Sequence, residues 1–118
     1  MYYSHFFLTG CLVKKSCLYF LPNGSTYIIL WLRVDKPFFS KGELKIERSE
    51  VPVKLFGEQA ELWDKTIKKG SHISVEGEIR SFRWKGFNNK LKKVNYTAVE
   101  LVATRIRLCE FVTENLKE

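Results

Sequence analysis

The chain has 118 residues, of which 45% are hydrophobic, the size and apolar content of a single domain with its own core. A formal net charge of +7 and a pI near 9.4 favour acidic partners, either nucleic acid or an anionic surface. No apolar run approaches a membrane span, the start MYYSHFFLTG lacks the regions of a signal peptide, and Cys11, Cys17 and Cys109 have no C-x-x-C spacing. These features argue against a membrane protein, a disulfide framework and a zinc site, and predict a cytoplasmic protein with no metal or cofactor.

In chain order, residues 5–13 alternate, with Phe6, Leu8, Gly10 and Leu12 on one side and His5, Phe7, Thr9 and Cys11 on the other. That is the period of a half-buried strand, and Phe7 on its outer side is expected to meet another subunit. Lys14, Lys15 and Ser16 break the run. A short extended piece from Cys17 to Leu21 leads into Pro22-Asn23-Gly24, where proline presets φ and Asn-Gly accepts a tight reversal. From Ser25 to Asp35 the even positions Thr26, Ile28, Leu30, Leu32 and Val34 form an apolar face predicted to anchor a barrel. The odd face carries Tyr27, Ile29, Trp31 and Arg33; its rings either lie under a loop or a subunit contact, or stack on a ligand. Lys36 to Gly42, KPFFSKG, reads as a flexible loop whose rings, Phe38 and Phe39, either tuck back or reach a base. Leu44 to Phe56 resumes the strand pattern, with Val51, Val53 and Leu55 inward and Glu50, Pro52, Lys54 and Phe56 outward. Pro52 cannot donate to a ladder, which predicts a bulge or an edge there.

Glu58 to Lys69 is the one good helix, with Ala60, Trp63 and Ile67 in a stripe and Gly70 as its stop. Period-two alternation begins at once in KGSHISVEGEIRSFRWKGF. Ile73, Val75, Gly77 and Ile79 are expected to face the core, and Glu76, Glu78, Arg80, Phe82 and Trp84 the outside. Flat rings beside guanidinium groups suit an unpaired nucleic-acid strand, because bases offer π-faces and the backbone offers phosphates. The turn cluster after Trp84 joins a returning arm rich in Lys90, Lys92 and Lys93, so this hairpin tip, with Arg83 and Lys85, is doubly basic. A last strand spans roughly Leu91 to Leu108, and 110–118 is a short C-terminal end. Three strands, one helix and two strands is the order of the mainly all-β, five-stranded OB-fold barrel, with a short helix between strands 3 and 4 and a domain over 1–109.

The blocks FFLTGCL, LPNG, VPVKLFGEQAE, KKGSHISVEGEIRSFRW and YTAVELVA, in that order, resemble those of bacterial single-stranded DNA-binding proteins over residues 5–108. By position, the resemblance implies base stacking at Trp84, at Phe56, and at Phe38 or Phe39. A further family tryptophan falls on Glu50, which removes a platform and adds a repulsive charge; Trp31 with Arg33 would partly compensate. The resemblance also implies a homodimer or homotetramer of barrels. No acidic, glycine-rich extension follows Leu108, so recruitment of replication enzymes through such a tail is not expected.

Taken together, the sequence predicts binding of single-stranded DNA with little sequence preference, and no enzyme activity. Trp84, Phe56, Phe82, Phe38, Phe39, Tyr27 and Trp31 are the candidate stacking residues. Arg33, Lys54, Arg80, Lys85, Lys90, Lys92 and Lys93 are the candidate cations. The rivals are a primosomal barrel that docks proteins in replication restart and an RNA-binding barrel.

Overall fold

The computed structural model describes residues 3–109, so the end expected over 110–118 lies outside the described residues. Period-two patterning becomes strand throughout: β1 (Phe6–Lys15), β2 (Tyr19–Phe20), β3 (Thr26–Ser40), β4 (Glu43–Phe56), β5 (His72–Phe87) and β6 (Lys93–Leu108). One helix, α1 (Glu58–Thr66), lies between β4 and β5. The sheet order is β1-β5-β6-β4-β3-β2, and an added pairing of β1 with β3 closes the barrel. Apart from the two-residue β2, these are the five strands of an OB barrel, with the helix where the sequence predicts it.

The core follows the alternation. Leu12, Ile28, Leu30, Leu32, Val53, Leu55, Ile73 and Val75 are all at most 1% exposed. The helix sits at the barrel end, held by buried Ala60 and half-buried Trp63. Buried Thr26 ties its start, donating from its hydroxyl to the Gly57 carbonyl at 3.2 Å. The helix stops at Thr66, earlier than the predicted Lys69, because Ile67 turns extended and drops its side chain into the core. Lys68 and Lys69 therefore lie beyond it, and Gly70 (φ +92) serves the turn into β5 instead.

Two backbone approaches depend on missing side chains. A Cβ on Gly77 would stand 1.9 Å from the Val102 carbonyl oxygen, and one on Gly10 would stand 2.6 Å from that of Arg33. Gly77 also marks the register shift between β5 and β6. Beyond the level of Leu101, which still pairs with Val53 of β4, the two strands leave the barrel as a ribbon. Ile79, expected in the core, keeps the inward parity but is 45% exposed, opposite Leu101 at the rim of the barrel.

The segment 36–42 is not a flexible loop. β3 runs to Ser40, pairs residue by residue with β4, and turns at Lys41 (φ +52) and Gly42 (φ +79). Positive φ at both central residues is what a two-residue hairpin turn requires. A two-stranded ribbon has free edges, so Pro37 is tolerated in it. Pro52 lies opposite Trp31 without a bulge, just before the other edge of β4 meets β6 at Val53 and Lys54. The last strand begins at Lys93 instead of Leu91, since Asn88 organises the preceding turn by accepting from the backbone N–H of Lys90 and Lys92 at 2.9 and 3.0 Å.

Candidate nucleic-acid interface

Outward positions on β3, β4, β5 and β6 converge on one face. Tyr27 of β3 stands opposite Phe56 of β4, with ring centroids 5.6 Å apart. Tyr19 of β2 stacks on Tyr27 at 4.9 Å, extending the row by one ring. On the β5–β6 ribbon Phe82 stacks on Trp84 at 5.2 Å, and Trp84 on Tyr96 at 5.3 Å, with planes 23° and 17° apart. Such ring pairs are each worth about 0.5–1.5 kcal/mol beyond burial, enough to hold the planes in place before any ligand arrives.

Cations join the two rows. Lys54 Nζ lies 5.1 Å from the Tyr27 ring and 5.3 Å from that of Phe82. The Arg80 guanidinium lies 6.0 Å from the Phe56 ring. These distances reach the cation–π range, worth about 0.5–1 kcal/mol each at an exposed site. Both cations also hold a carboxylate: Lys54 is 2.7 Å from Glu100 Oε2, and Arg80 is 2.9 Å from Glu78 Oε1. Cys17 lies beside Tyr19, and its repulsion, followed by lost hydration, raises the Tyr19 phenol above its usual value.

Trp31 lies at the margin of this face. It shares a groove of about 240 Å³ with Pro52, Lys54, Phe82 and Glu100, and Lys14 stands over it at 4.9 Å. Arg33 sits opposite Glu50 in register but turns to Asp35 at 3.5 Å, which also takes Arg48 at 3.4 Å. Phe38 and Phe39 lie out on the β3–β4 ribbon, 43% and 77% exposed. Strand alternation puts Lys85 on the ribbon face opposite Trp84, in line with Arg83 and Lys93, while Lys90 and Lys92 occupy the turn.

Of the predicted residues, the structure therefore gathers Tyr27, Lys54, Phe56, Arg80, Phe82 and Trp84, with Trp31 adjoining. It keeps Arg33, Phe38, Phe39, Lys85, Lys90, Lys92 and Lys93 apart from that cluster. Sequence reasoning missed Tyr19, Tyr96, Lys14 and Glu100 as members of the face. Tyr96 carried a usable signal, because counting back across the 88–92 turn sets it opposite Trp84. Among the described residues no group of three or more His, Cys, Asp or Glu side chains is placed to hold a metal ion. No helix among the described residues is long and apolar enough to cross a membrane.

The chain resembles known proteins in sequence and in fold. The single-stranded DNA-binding protein of Aquifex aeolicus is 27% identical over 103 residues, covering 86% of this chain and 67% of that protein. Its counterpart in Helicobacter hepaticus is 31% identical over 83 residues, covering 70% and 49%. That of Thermus aquaticus is 30% identical over 96 residues, covering 78% and 35%, so the chain spans half or less of these last two relatives. A crystal structure of a deletion mutant of the Thermus aquaticus protein superposes with a TM-score of 0.77 at 27% identity, over 94% of this chain and 52% of that one. A Plasmodium falciparum SSB complex with ssDNA shares the fold at a TM-score of 0.74 and 16% identity, over 93% and 97% of the two chains. The model of the Single-strand binding protein family matches residues 3–109, and the chain belongs to that family.

Proposed function

We propose that the protein binds single-stranded DNA with little sequence preference, in replication, recombination or repair, and does no chemistry on it. The observation that carries this reading is the ring face itself: Phe82, Trp84 and Tyr96 in one stacked row, joined through Lys54 to Tyr27 and Phe56. Each stacked base contributes roughly 1–3 kcal/mol, and every base has a π-face, so stacking is indifferent to sequence. Family membership and the single-stranded DNA-binding proteins among its relatives support the same ligand.

Phosphates are held by the cations around the rings. Arg80 is half exposed in its pair with Glu78, so exchanging that carboxylate for a phosphate costs little. Lys85, Lys90, Lys92 and Lys93 stand along the β5–β6 ribbon and its turn, and Phe38 and Phe39 on the other ribbon offer further rings. Counterion release then makes affinity fall with salt at a log–log slope of about −0.7 per phosphate engaged.

The test is quenching of tryptophan fluorescence by oligo-dT at two salt concentrations, with oligo-U as competitor. Saturable quenching that weakens with salt is expected, as is a loss of at least about tenfold in affinity for Trp84→Ala. An unchanged titration of that variant removes Trp84 from the site. Preference for oligo-U makes the ligand RNA. Negligible binding of either strand, with a helicase co-purifying, favours the protein-docking alternative.

A further inference from the structure

We propose that Lys54 is a tie within the ring face, not a phosphate ligand, and that Glu100 is the positioning residue that holds it there. For its effect on binding the inference rests on the single-strand reading, but the tie itself is a property of the free protein. Lys54 belongs to β4, at the short parallel contact with β6. Its ammonium touches three other strands: Tyr27 of β3 at 5.1 Å, Phe82 of β5 at 5.3 Å and Glu100 of β6 at 2.7 Å. A lysine head group on a four-carbon stem is strongly hydrated and mobile, so rings alone would hold it loosely. The Glu100 carboxylate at 2.7 Å, an ion-pair partner without hydrogen-bond geometry, holds it between them by charge. The pair is largely sheltered, with 27% of the Lys54 side chain and 16% of that of Glu100 exposed.

The pairing is also selective. Arg80 lies directly opposite Glu100 in the β5–β6 register, yet its guanidinium gives both Nε and a terminal nitrogen to Glu78 Oε1, at 3.0 and 2.9 Å. Glu78 thus occupies the competing cation and leaves Glu100 to Lys54. The charge of Lys54 is then balanced within the face, and a strand crossing this point is held there by stacking. The salt dependence of binding arises outside this pair, from Arg80 once a phosphate displaces Glu78 and from cations on the reverse of the β5–β6 ribbon such as Arg83, Lys85 and Lys93, which form no ion pair among the described residues.

Two readouts test this on the full chain, using Glu100→Gln and Lys54→Met. In the free protein, the Lys54 methylene protons next to the ammonium should resonate upfield because of the two rings, and should move toward the ordinary lysine position in Glu100→Gln. An unmoved resonance overturns the role of Glu100, whatever the protein binds. In oligo-dT titrations across salt, Lys54→Met should weaken binding with no change of slope. Glu100→Gln should steepen the slope by about 0.7, a further two- to threefold loss between about 50 and 200 mM salt, as the freed ammonium takes up a phosphate. A slope for Lys54→Met shallower by the same amount shows that Lys54 holds a phosphate already, and overturns the proposal. So does an unaltered slope in Glu100→Gln. If Glu100→Gln fails to fold, the Lys54→Met slope still decides. If the wild-type chain binds no oligo-dT, the single-strand reading fails by itself and the resonance still decides the tie.

Discussion

At the scale of the residue, parity along a strand decides which side chains meet. Phe56, Trp84 and Phe82 were legible as outward rings because strand alternation needs no knowledge of the fold. Tyr96 could be placed only by counting back across the 88–92 turn, and Tyr19 not at all, because each joins the face through the register of a neighbouring strand. Charge was harder to read than aromaticity. Lys54 and Lys85 look alike as isolated letters, yet one is matched by Glu100 and the other lies on the reverse of a ribbon. Glycine gives the most direct prediction at this scale. Gly77→Ala would drive a methyl group into the Val102 carbonyl, which lies 1.9 Å from the added carbon and is backbone that cannot swing aside. The expected loss is about 3 kcal/mol, the upper end of overpacking costs, read as a lower urea midpoint with an unchanged m-value. A midpoint equal to wild type would mean that β5 and β6 are farther apart there than described.

At the scale of the element, the two ribbons differ in kind although both are long antiparallel pairs. The β5–β6 ribbon carries its three stacked rings on one face and Arg83, Lys85 and Lys93 on the other. The β3–β4 ribbon carries exposed Phe39 and Leu44 opposite one another and contributes no fully buried residue beyond Asp35. Its lysines, proline and glycine gave it the look of a loop in the sequence. The pairing that makes it a strand is a residue-by-residue backbone ladder with β4, which composition does not record. Replacing residues 35–48 with Asn-Gly should therefore leave the thermal midpoint within a few degrees, while shortening the length of oligo-dT needed for full quenching. A collapse of the midpoint would show that the ribbon supports the barrel.

At the scale of the whole molecule, the barrel order and its helix were legible because each element announces its own period. A closed barrel followed from that order, but which strands close it did not, since that depends on which strands find each other across the sheet. One outer face remains open to a partner. Phe7 on β1 is 65% exposed, beside Glu76 and Arg105, which pair at 3.3 Å. We expect self-association there: Phe7→Asp should lower the mass measured in solution while preserving the far-ultraviolet spectrum, and an unchanged mass would place any subunit contact elsewhere. The closure has a consequence of its own. β4 and β6 meet through only two residue pairs, Val53 with Leu101 and Lys54 with Val102, whereas the other barrel contacts are longer ladders. The cylinder is thus zipped by its shortest stitch directly beneath the rings. Amide protons around 53–54 and 101–102 should exchange with deuterated water sooner than those of the β3–β4 ladder near Leu30. A polymer lying from Phe56 across to Trp84 would splint that stitch and slow the exchange, so ligand capture and rigidity of the cylinder would rise together.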